Sequence, residues 1–510
     1  MTASRATDMS TTAAYESLCN HARETAKLAS IMGLLEWDER TKMPTAAGEY
    51  RAEQISFLAG EIHKRQTTPQ IAGWLDELVG SPLAADSHSV EGTVIRQLKR
   101  QYDKKTKLPQ ALVEELSRTS VLGQQMWVEA RKADDFAKFQ PLLEKTIELK
   151  RQEAAAIGYK VTPYDALLDD YEPGATTAEV AAALGGLRDA LTPLVEQIVG
   201  SSRKPDSELL KRDFPVDAQE AFGKAASAAI GFDFNAGRLD TTDHPFCAGA
   251  GPHDQRITTR YNINDFSDAF FSTLHEAGHG LYEQGLPADQ FGLPTGEACS
   301  LGIHESQSRM WENQVGRSRA FWEHFLPKGQ QQFAALKGVS LDQLYGAINE
   351  VRPSLIRVDA DEVTYNLHVL IRFELERALI ENDLQAKDLP AAWNEKYQKY
   401  LGITPPNFAD GVLQDVHWSA GLFGYFPTYS LGNLYAGQFY AAATKELGDL
   451  PAAFRKGEFQ PLLAWLRKNI HAHGQRFSAG ELALNVTGQP LSHGPWIEQM
   501  RAKYGELYGL

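Results

Sequence analysis

Residues 265–284 read DFSDAFFSTLHEAGHGLYEQ, and this stretch decides how the rest of the chain is interpreted. Apolar residues recur at steps of three and four, a spacing typical of an amphipathic helix: Phe266, Phe270, Leu274, Ala277 and Leu281. Asp265 precedes the first of them and is a favourable N-cap, with Asp268 three residues later. The pattern predicts a helix over 265–284 with one face in the protein core.

This predicted helix carries the sequence His-Glu-Ala-Gly-His at residues 275–279. Histidines four residues apart lie one above the other on a helix, so His275 and His279 are expected to bind one metal ion. Glu276 lies between them, where a glutamate accepts a proton from an activated water molecule. Gly278 costs about 1 kcal/mol relative to alanine inside a helix, which suggests the close approach of another element. The alternative is a helix with two hydrogen-bonded core histidines.

A third ligand is expected from a second helical pattern that begins near Glu297. Glu305 is the leading candidate because a neighbouring antiparallel helix would carry it back to the two histidines. Arg309 follows one turn later, where it can pair with the Glu305 carboxylate. His304 and Glu297 are the alternative third ligands.

The composition excludes several classes of function. The chain has 510 residues, a net charge of −15, 43% hydrophobic and 23% charged residues, which is typical of a globular protein. No concentrated basic face points to nucleic acid, and no run of about 18 apolar residues points to a membrane span. Three scattered cysteines (Cys19, Cys247, Cys299) argue against a disulfide framework, so a cytoplasmic location is predicted.

Most of the chain has helical periodicity, so the predicted fold is mainly α. Residues 1–12 are polar and are predicted to be flexible, and residues 13–510 are predicted to form a single domain, with two helical domains as the alternative. The best strand pattern is 256–262, and a second candidate lies at 209–214. We therefore expect a small sheet beside a helical body.

Six motifs occur in order along the chain. They are His244-Pro245-Phe246; Asp254, Arg256 and Thr258 in DxRxT; His275–His279; His304–Gln307; Ile356–Asp361, with Arg357 in IRxxAD; and Gly411–Trp418 in GxxQDxHW. A chain with these motifs resembles the metallocarboxypeptidases typified by carboxypeptidase Taq, and the resemblance covers nearly its whole length.

The resemblance implies a large helical peptidase domain with a deep central groove and a small antiparallel sheet near the metal. It implies one Zn²⁺ per chain, with Co²⁺ as a possible substitute, and a homodimer. The implied reaction is the release of single C-terminal amino acids from peptides with broad specificity, with C-terminal proline disfavoured.

The resemblance also suggests roles for residues outside the zinc motif. His417 and Tyr425 are candidate hydrogen-bond donors to the developing oxyanion, although Tyr425 also fits a packing role. His244 and Phe246 are expected to shape the groove wall, and Asp415 to orient His417 or a ligand histidine.

The free carboxylate of a peptide substrate is best bound by a guanidinium group. Arg357 is the preferred anchor, with Arg256 close behind it. The alternative is that one of the two arginines forms a structural ion pair with Asp254 or Asp361.

Two other functions share parts of this pattern. A related helical zinc oligoendopeptidase or dipeptidyl carboxypeptidase would share the metal motif but not the HPF, DxRxT and GxxQDxHW motifs together. A helical scaffold with a structural metal would have no use for the general base at Glu276.

Overall fold

The computed structural model describes residues 2–510, and it describes side chains from residue 11 onward. The predicted flexible segment 1–12 lies almost entirely outside the described side chains and stays a prediction. Among the described helices, none is both long enough and apolar enough to cross a membrane.

Twenty α-helices build the described chain, which confirms the mainly α prediction. Those before the sheet are α1 Thr2–Thr41, α2 Gly48–Gln66, α3 Pro69–Leu78, α4 Val90–Lys107, α5 Gln110–Ala133, α6 Phe136–Ile157, α7 Pro163–Leu168, α8 Thr177–Gly200 and α9 Val216–Ile230. Those after it are α10 Phe266–Glu283, α11 Leu301–Arg309, α12 Arg319–Gln332, α13 Leu341–Ile348, α14 Tyr365–Ile380, α15 Leu389–Leu401, α16 Pro427–Leu447, α17 Leu450–Arg455, α18 Gln460–Asn469, α19 Ala479–Thr487 and α20 Gly494–Tyr508.

Three short strands form one sheet, and its topology corrects the predicted antiparallel arrangement. The strands are β1 Gly237–Thr241, β2 Cys247–Gly249 and β3 Gln255–Thr259, in the order β1-β3-β2. β2 pairs with β3 antiparallel, but β1 pairs with β3 in parallel, so the sheet is mixed. The chain reverses twice between β1 and β3, once on each side of β2, and β3 therefore runs in the same direction as β1.

The two strand predictions had different outcomes. The pattern at 256–262 corresponds to β3 and is confirmed. The candidate strand at 209–214 is wrong, because Ser207–Lys211 forms a 3₁₀ helix. The Asp206 side chain accepts a hydrogen bond from the backbone N–H of Glu208, so the chain turns there instead of extending.

Helix α10 lies at the centre of the fold with the sheet against one side. A Cβ on Gly280 would lie 3.3 Å from Ile257 of β3, so the helix backbone packs directly on the strand. On another side, aromatic rings of the core stack around the start of α10: Phe222, Phe266, Phe270, Trp322 and Phe333. The main hydrophobic core runs from Ala130 to Tyr508, while a smaller cluster joins α1, α3 and α4.

A cavity of 570 Å³ lies between α1, α4, β2 and the C-terminal end of α10. His304 and Glu283 line it on the side of α10 and α11. The single-domain organisation of residues 13–510 stays a prediction.

Candidate metal centre and active site

Helix α10 begins as its sequence predicts. The Asp265 side chain accepts a hydrogen bond from the backbone N–H of Asp268 at 3.1 Å, which caps the first turn. The apolar stripe is buried in the core, and the helix therefore has a fixed rotation about its axis. This rotation turns His275 and His279 toward α11.

The two histidines and Glu305 converge on one point. Glu305 Oε2 lies 3.5 Å from His275 Nε2 and 3.4 Å from His279 Nε2. One ligand atom from each of these three residues lies within 4.8 Å of the others. The predicted third ligand thus meets the predicted pair.

Each histidine ring is oriented by a partner on its Nδ1 atom. His275 Nδ1 lies 2.9 Å from Glu312 Oε2, and this carboxylate accepts the ring N–H. His279 Nδ1 lies 2.5 Å from His304 Nδ1, and His304 Nε2 lies 2.8 Å from Glu283 Oε1. With Glu283 accepting from His304, the His304 Nδ1 atom accepts from His279. Both ligand histidines therefore keep Nε2 as a free electron-pair donor.

Glu305 is held in its ionised form by its neighbours. Arg309 Nε donates to Glu305 Oε1 at 2.7 Å, as the one-turn spacing predicted, and Ser308 Oγ donates to Oε2 at 2.9 Å. Burial alone would raise the pKa of Glu305, but the charge of Arg309 and the two histidines hold it well below its ordinary value. Glu305 is therefore a carboxylate ready to bind a cation.

Two glycines allow the ligand helices to approach closely. A Cβ on Gly278 of α10 would lie 2.6 Å from Ser308 Cα and 2.7 Å from the Gln307 carbonyl oxygen. A Cβ on Gly432 of α16 would lie 2.4 Å from Glu305 Cγ. Helix α11 is thus packed between two backbones, and the close approach predicted at Gly278 is confirmed.

Helix α11 continues without a break into a π-helix over Met310–Gly316. This wider turn contains Glu312, whose Oε2 bonds His275 and also lies 3.3 Å from Arg309 Nη1. Burial would raise the pKa of Glu312, but Arg309 and His275 lower it to about 2. π-Turns within helices are frequent at functional sites, because they redirect side chains.

The donor set fits a divalent metal ion. Two imidazole nitrogens and one carboxylate oxygen are the ligands that catalytic zinc sites use, with one position left for water or substrate. His304 is not a third ligand, because it bonds the back of the His279 ring. Glu297 is exposed and pairs with Gln475 at 3.3 Å, so it is not a ligand either.

Glu276 lies between His275 and His279 in the sequence of α10, and its side chain is buried. Burial raises the pKa of its carboxyl group to about 7, and nearby Glu305 contributes to the rise. No hydrogen bond from another described side chain occupies this carboxyl group. Such a group can exchange a proton near neutral pH.

His417 and Tyr425 lie together beside the metal ligands, in the segment between α15 and α16. Their rings are 5.4 Å apart, and His417 Nε2 lies 3.3 Å from the hydroxyl group of Tyr429. Burial, followed by the negative charge of Glu305, raises the pKa of Tyr425. Burial lowers the pKa of His417 to about 3, so its ring is neutral at physiological pH. Tyr425 therefore lies close enough to Glu305 to feel its charge, and the neutral ring of His417 lies against Tyr425.

Arg357 is a buried guanidinium group next to these rings. Its Nε donates to Asp415 Oδ1 at 2.9 Å, and its Nη1 donates to the Tyr365 hydroxyl at 3.1 Å. Its Cζ lies 5.0 Å from the centre of the Tyr429 ring. Nη2 has no hydrogen-bond partner among the described residues, so one face of the fork is free to bind a ligand.

Arg256 of β3 is more fully engaged. Its Nε and Nη2 donate to the two carboxylate oxygens of Asp254 at 2.9 and 2.8 Å, and its Cζ lies 4.3 Å from the Trp37 ring. The Asp254 ion pair was the alternative reading for this arginine. The other proposed pair is absent, because Arg357 bonds Asp415, whereas Asp361 caps the turn at Thr364.

The HPF segment joins β1 to β2. Phe246 bonds Thr258 through its backbone N–H and carbonyl groups, and Arg40 lies over its ring at 5.3 Å. His244 is exposed, and its pKa is lowered by its partly desolvated ring and by the charges of Arg260 and Arg357. His244 is therefore close enough to Arg357 to feel its charge, whereas Phe246 is fixed to β3 through Thr258.

Several residues of the site were not predicted. Glu312 orients a ligand histidine, Arg372 shares the Asp415 carboxylate with Arg357, and Tyr429 bonds His417. Asp415 mainly holds the two arginines, since its distance to His417 Nδ1 is 4.0 Å. Arg372 and Tyr429 lie in stretches that look like ordinary core helices, and only their contacts in the folded chain reveal them.

A helical fold in which two histidines of one helix and a glutamate of the next converge beside a buried carboxyl group defines a metallopeptidase. Residues 17–504 match the model of the Carboxypeptidase Taq (M32) metallopeptidase family, and the chain belongs to this family. It is a metallocarboxypeptidase, a peptide hydrolase with a divalent metal site.

Curated relatives and solved structures are similar to this chain along almost its whole length. Thermostable carboxypeptidase 1 of Thermus thermophilus is 47% identical over 511 residues, which cover 98% of this chain and 100% of the relative. Carboxypeptidase 1 of Bacillus subtilis is 39% identical over 483 residues, or 94% and 96% of the two chains. The crystal structure of the M32 carboxypeptidase from Deinococcus radiodurans R1 has a TM-score of 0.93 and 42% identity, and covers 98% and 100% of the two chains. Metallocarboxypeptidase 1 of Trypanosoma cruzi has a TM-score of 0.91 and 34% identity, with 96% and 99% covered.

Proposed function

We propose that this protein releases single amino acids from peptide C-termini, with one Zn²⁺ ion held by His275, His279 and Glu305. The observation that carries this proposal is the buried guanidinium group of Arg357, with a free donor beside the proposed catalytic side chains. A zinc ion bound at these ligands would polarise the scissile carbonyl group and lower the pKa of a water molecule toward about 7, and Co²⁺ could replace it.

Glu276 is the proposed general base. Glu276 directly follows His275 on α10, and its carboxyl group is buried with no hydrogen-bond partner among the described side chains, so it is free to accept a proton from the attacking water. The same group can then give this proton to the leaving amine. Its burial supports this role because it brings the pKa of the carboxyl group to about 7.

His417 and Tyr425 are the proposed donors to the developing oxyanion. Tyr425 lies near Glu305 and its ring is 5.4 Å from that of His417, and a neutral imidazole carries one ring N–H that can donate. The bond between His417 and Tyr429 fixes the ring orientation.

Arg357 is the proposed anchor of the substrate carboxylate. It shares Asp415 with Arg372, so two buried positive charges face one negative charge. A carboxylate from the substrate would balance the remaining charge. Arg256 lends weaker support to the same role because Asp254 already occupies two of its donors. We assign Arg256, His244 and Phe246 to the wall that limits the substrate beyond the cleaved residue.

The family resemblance supports the finer properties. We propose broad specificity with C-terminal proline disfavoured, peptides with a free C-terminus as substrates, and a homodimer. We also propose a cytoplasmic location, which is compatible with the three cysteines, all of them unpaired.

One assay tests this function against its nearest alternative. The zinc-loaded protein is incubated with an N-blocked dipeptide and with the same dipeptide amidated at its C-terminus. Cleavage of the free acid alone is expected, since only the acid can bind Arg357. Equal cleavage of the amide would instead favour an oligoendopeptidase, and release of dipeptides from longer substrates would favour a dipeptidyl carboxypeptidase.

Variants assign the roles. Glu276→Gln is expected to retain zinc and to lose activity by several orders of magnitude, because the amide cannot accept the proton. Arg357→Met is expected to raise KM for the free acid by about 100-fold, which corresponds to losing a charged hydrogen-bonded contact. Arg256→Met is the matched control and should raise KM less. A larger rise in KM for Arg256→Met than for Arg357→Met would instead identify Arg256 as the anchor of the substrate carboxylate.

A further inference from the structure

The segment between α15 and α16, residues 402–426, contains no α-helix or strand. It nevertheless carries His417 and Tyr425, whose positions must be accurate for the proposed chemistry. A segment without a backbone hydrogen-bond ladder has to be fixed by other contacts. Two such contacts come from one helix, α14.

Arg372 and Glu376 lie one turn apart on α14 and are both fully buried. Opposite charges at this spacing commonly pair with one another. Here they do not pair, and each bonds the 402–426 segment instead. Arg372 Nε donates to Asp415 Oδ2 at 2.6 Å and its Nη2 donates to Gln414 Oε1 at 2.7 Å.

Glu376 accepts three hydrogen bonds, two of which come from the other part of the segment. Trp418 Nε1 donates to its Oε1 at 2.9 Å, and the backbone N–H of Gly424 donates to its Oε2 at 3.1 Å. The hydroxyl group of Tyr164 donates to the same Oε2 at 2.7 Å. Trp418 directly follows His417, and Gly424 directly precedes Tyr425.

The hydrogen bond from Gly424 to Glu376 depends on a backbone conformation that favours glycine. The φ of Gly424 is +89°, and a Cβ there would lie 2.7 Å from the carbonyl carbon of Leu167. The chain thus passes against α7 in a conformation that favours glycine, with its N–H directed at Glu376. Among the described residues, no cation forms an ion pair with Glu376. A buried carboxylate without a cation is costly unless its oxygens are bonded, so this arrangement calls for a reason.

We propose that Glu376 is a positioning residue that fixes His417 and Tyr425 at once, by bonding the residue next to each. The inference rests on the proposed roles of His417 and Tyr425. Glu376 does not contact the substrate, so it acts on the turnover step and leaves the carboxylate anchor and the metal ligands unchanged.

The test is Glu376→Gln, which keeps the side-chain shape. Trp418 and Gly424 donate to different carboxylate oxygens, so either orientation of the amide leaves one loop N–H facing an NH₂ group. We expect kcat to fall between about 10- and 100-fold, the effect of a misplacement of about 1 Å, with KM within about threefold of the wild-type value. Zinc content should stay at one per chain. An unchanged kcat in the folded variant would overturn the inference.

Tyr164→Phe is the matched control. It removes the third donor to the same carboxylate but leaves both loop contacts, so kcat should stay within about threefold of the wild-type value. A fall as large as that of Glu376→Gln would mean that the carboxylate serves general packing. Should Glu376→Gln fail to fold, Trp418→Phe removes one loop contact from the other side and should lower kcat with KM retained. An unchanged kcat in that variant would count against the inference.

Combined variants separate this inference from the proposed function. The double variant Tyr425→Phe/His417→Gln should lower kcat, and adding Glu376→Gln to it should lower kcat much less than in the wild-type background, because both of the donors being positioned are gone. Full additivity would overturn the positioning role. If Tyr425→Phe and His417→Gln both leave kcat unchanged, the proposed oxyanion donors fail, whatever Glu376→Gln does.

Discussion

Gly278→Ala is expected to damage the metal site although it replaces no ligand. The added Cβ would lie 2.6 Å from Ser308 Cα, whereas ordinary contacts begin at 3.4 Å, so α10 and α11 must separate by about 0.8 Å. The obstructing atoms belong to the α11 backbone, so no side-chain rotation can relieve the contact. Since Glu305 is on α11 and the two histidines are on α10, the separation acts directly on the ligand distances.

The size of the effect follows from the tolerance of metal bonds. Ligand distances in metal sites hold to about 0.2 Å, so a shift of 0.8 Å exceeds the tolerance several-fold and should weaken zinc binding by about 100-fold. Over-packing typically costs about 1–3 kcal/mol, which outweighs the gain of about 1 kcal/mol from replacing glycine with alanine in a helix. The variant should therefore also be less stable without metal.

The assay is competition for zinc with a chromogenic chelator, together with urea unfolding of the metal-free protein. Gly185→Ala in α8 is the control, because nothing lies within 4 Å of its added Cβ. It should bind zinc normally and gain up to about 1 kcal/mol of stability. If Gly278→Ala behaves like Gly185→Ala in both measurements, the close packing of α10 on α11 does not set the ligand geometry.

Two further predictions concern buried carboxyl groups. Glu312→Gln should weaken zinc binding by about 10- to 100-fold in the same chelator assay, because the charge that orients His275 is lost. Glu323→Gln is the control, because this partly exposed glutamate bonds Arg455 and its loss should leave zinc affinity unchanged. Equal zinc affinities of Glu312→Gln and the wild-type protein would remove Glu312 from the site. Burial raises the pKa of Glu172 from 4.5 to about 7, so the folded chain binds the proton of this carboxyl group more tightly than the unfolded chain does. The contribution of this group to the free energy of unfolding is therefore fully present below pH 4.5 and is lost as the pH rises through 7. The loss is at most about 3 kcal/mol, and Glu172→Gln should not show it, so the unfolding free energies of the two proteins should converge or cross between about pH 5 and pH 8. Parallel profiles would contradict this.

The sequence predicted the parts of the site that repeat with a regular period. Helix α10, its Asp265 cap, the two histidines and the pairing of Glu305 with Arg309 all follow from spacing on regular helices. Glu305 could be predicted as the third ligand because an antiparallel helix after α10 would bring it back beside the two histidines.

The parts that were missed depend on departures from a regular period or on tertiary approach. Beyond Arg309 the helix becomes a π-helix, so α-helical spacing no longer gives the direction of Glu312. His304 was considered as a ligand, but its bond to His279 depends on how α10 and α11 pack. β1 pairs in parallel with β3 although β2 lies between them in the sequence, and no local sequence pattern predicts such a pairing.

The packing of α11 between Gly278 and Gly432 also bears on which ions can enter. With backbone on one side and the Gly432 Cα on the other, the helix that carries Glu305 has little room to move outward. Calcium needs six to eight oxygen ligands at about 2.3–2.6 Å, which a rigid three-residue set cannot supply by widening. Small ions that accept nitrogen and oxygen at about 2.0–2.2 Å fit without movement of the helices. We therefore expect the two glycines, neither of which would contact the ion, to favour small ions because they hold α11 close to α10 and α16.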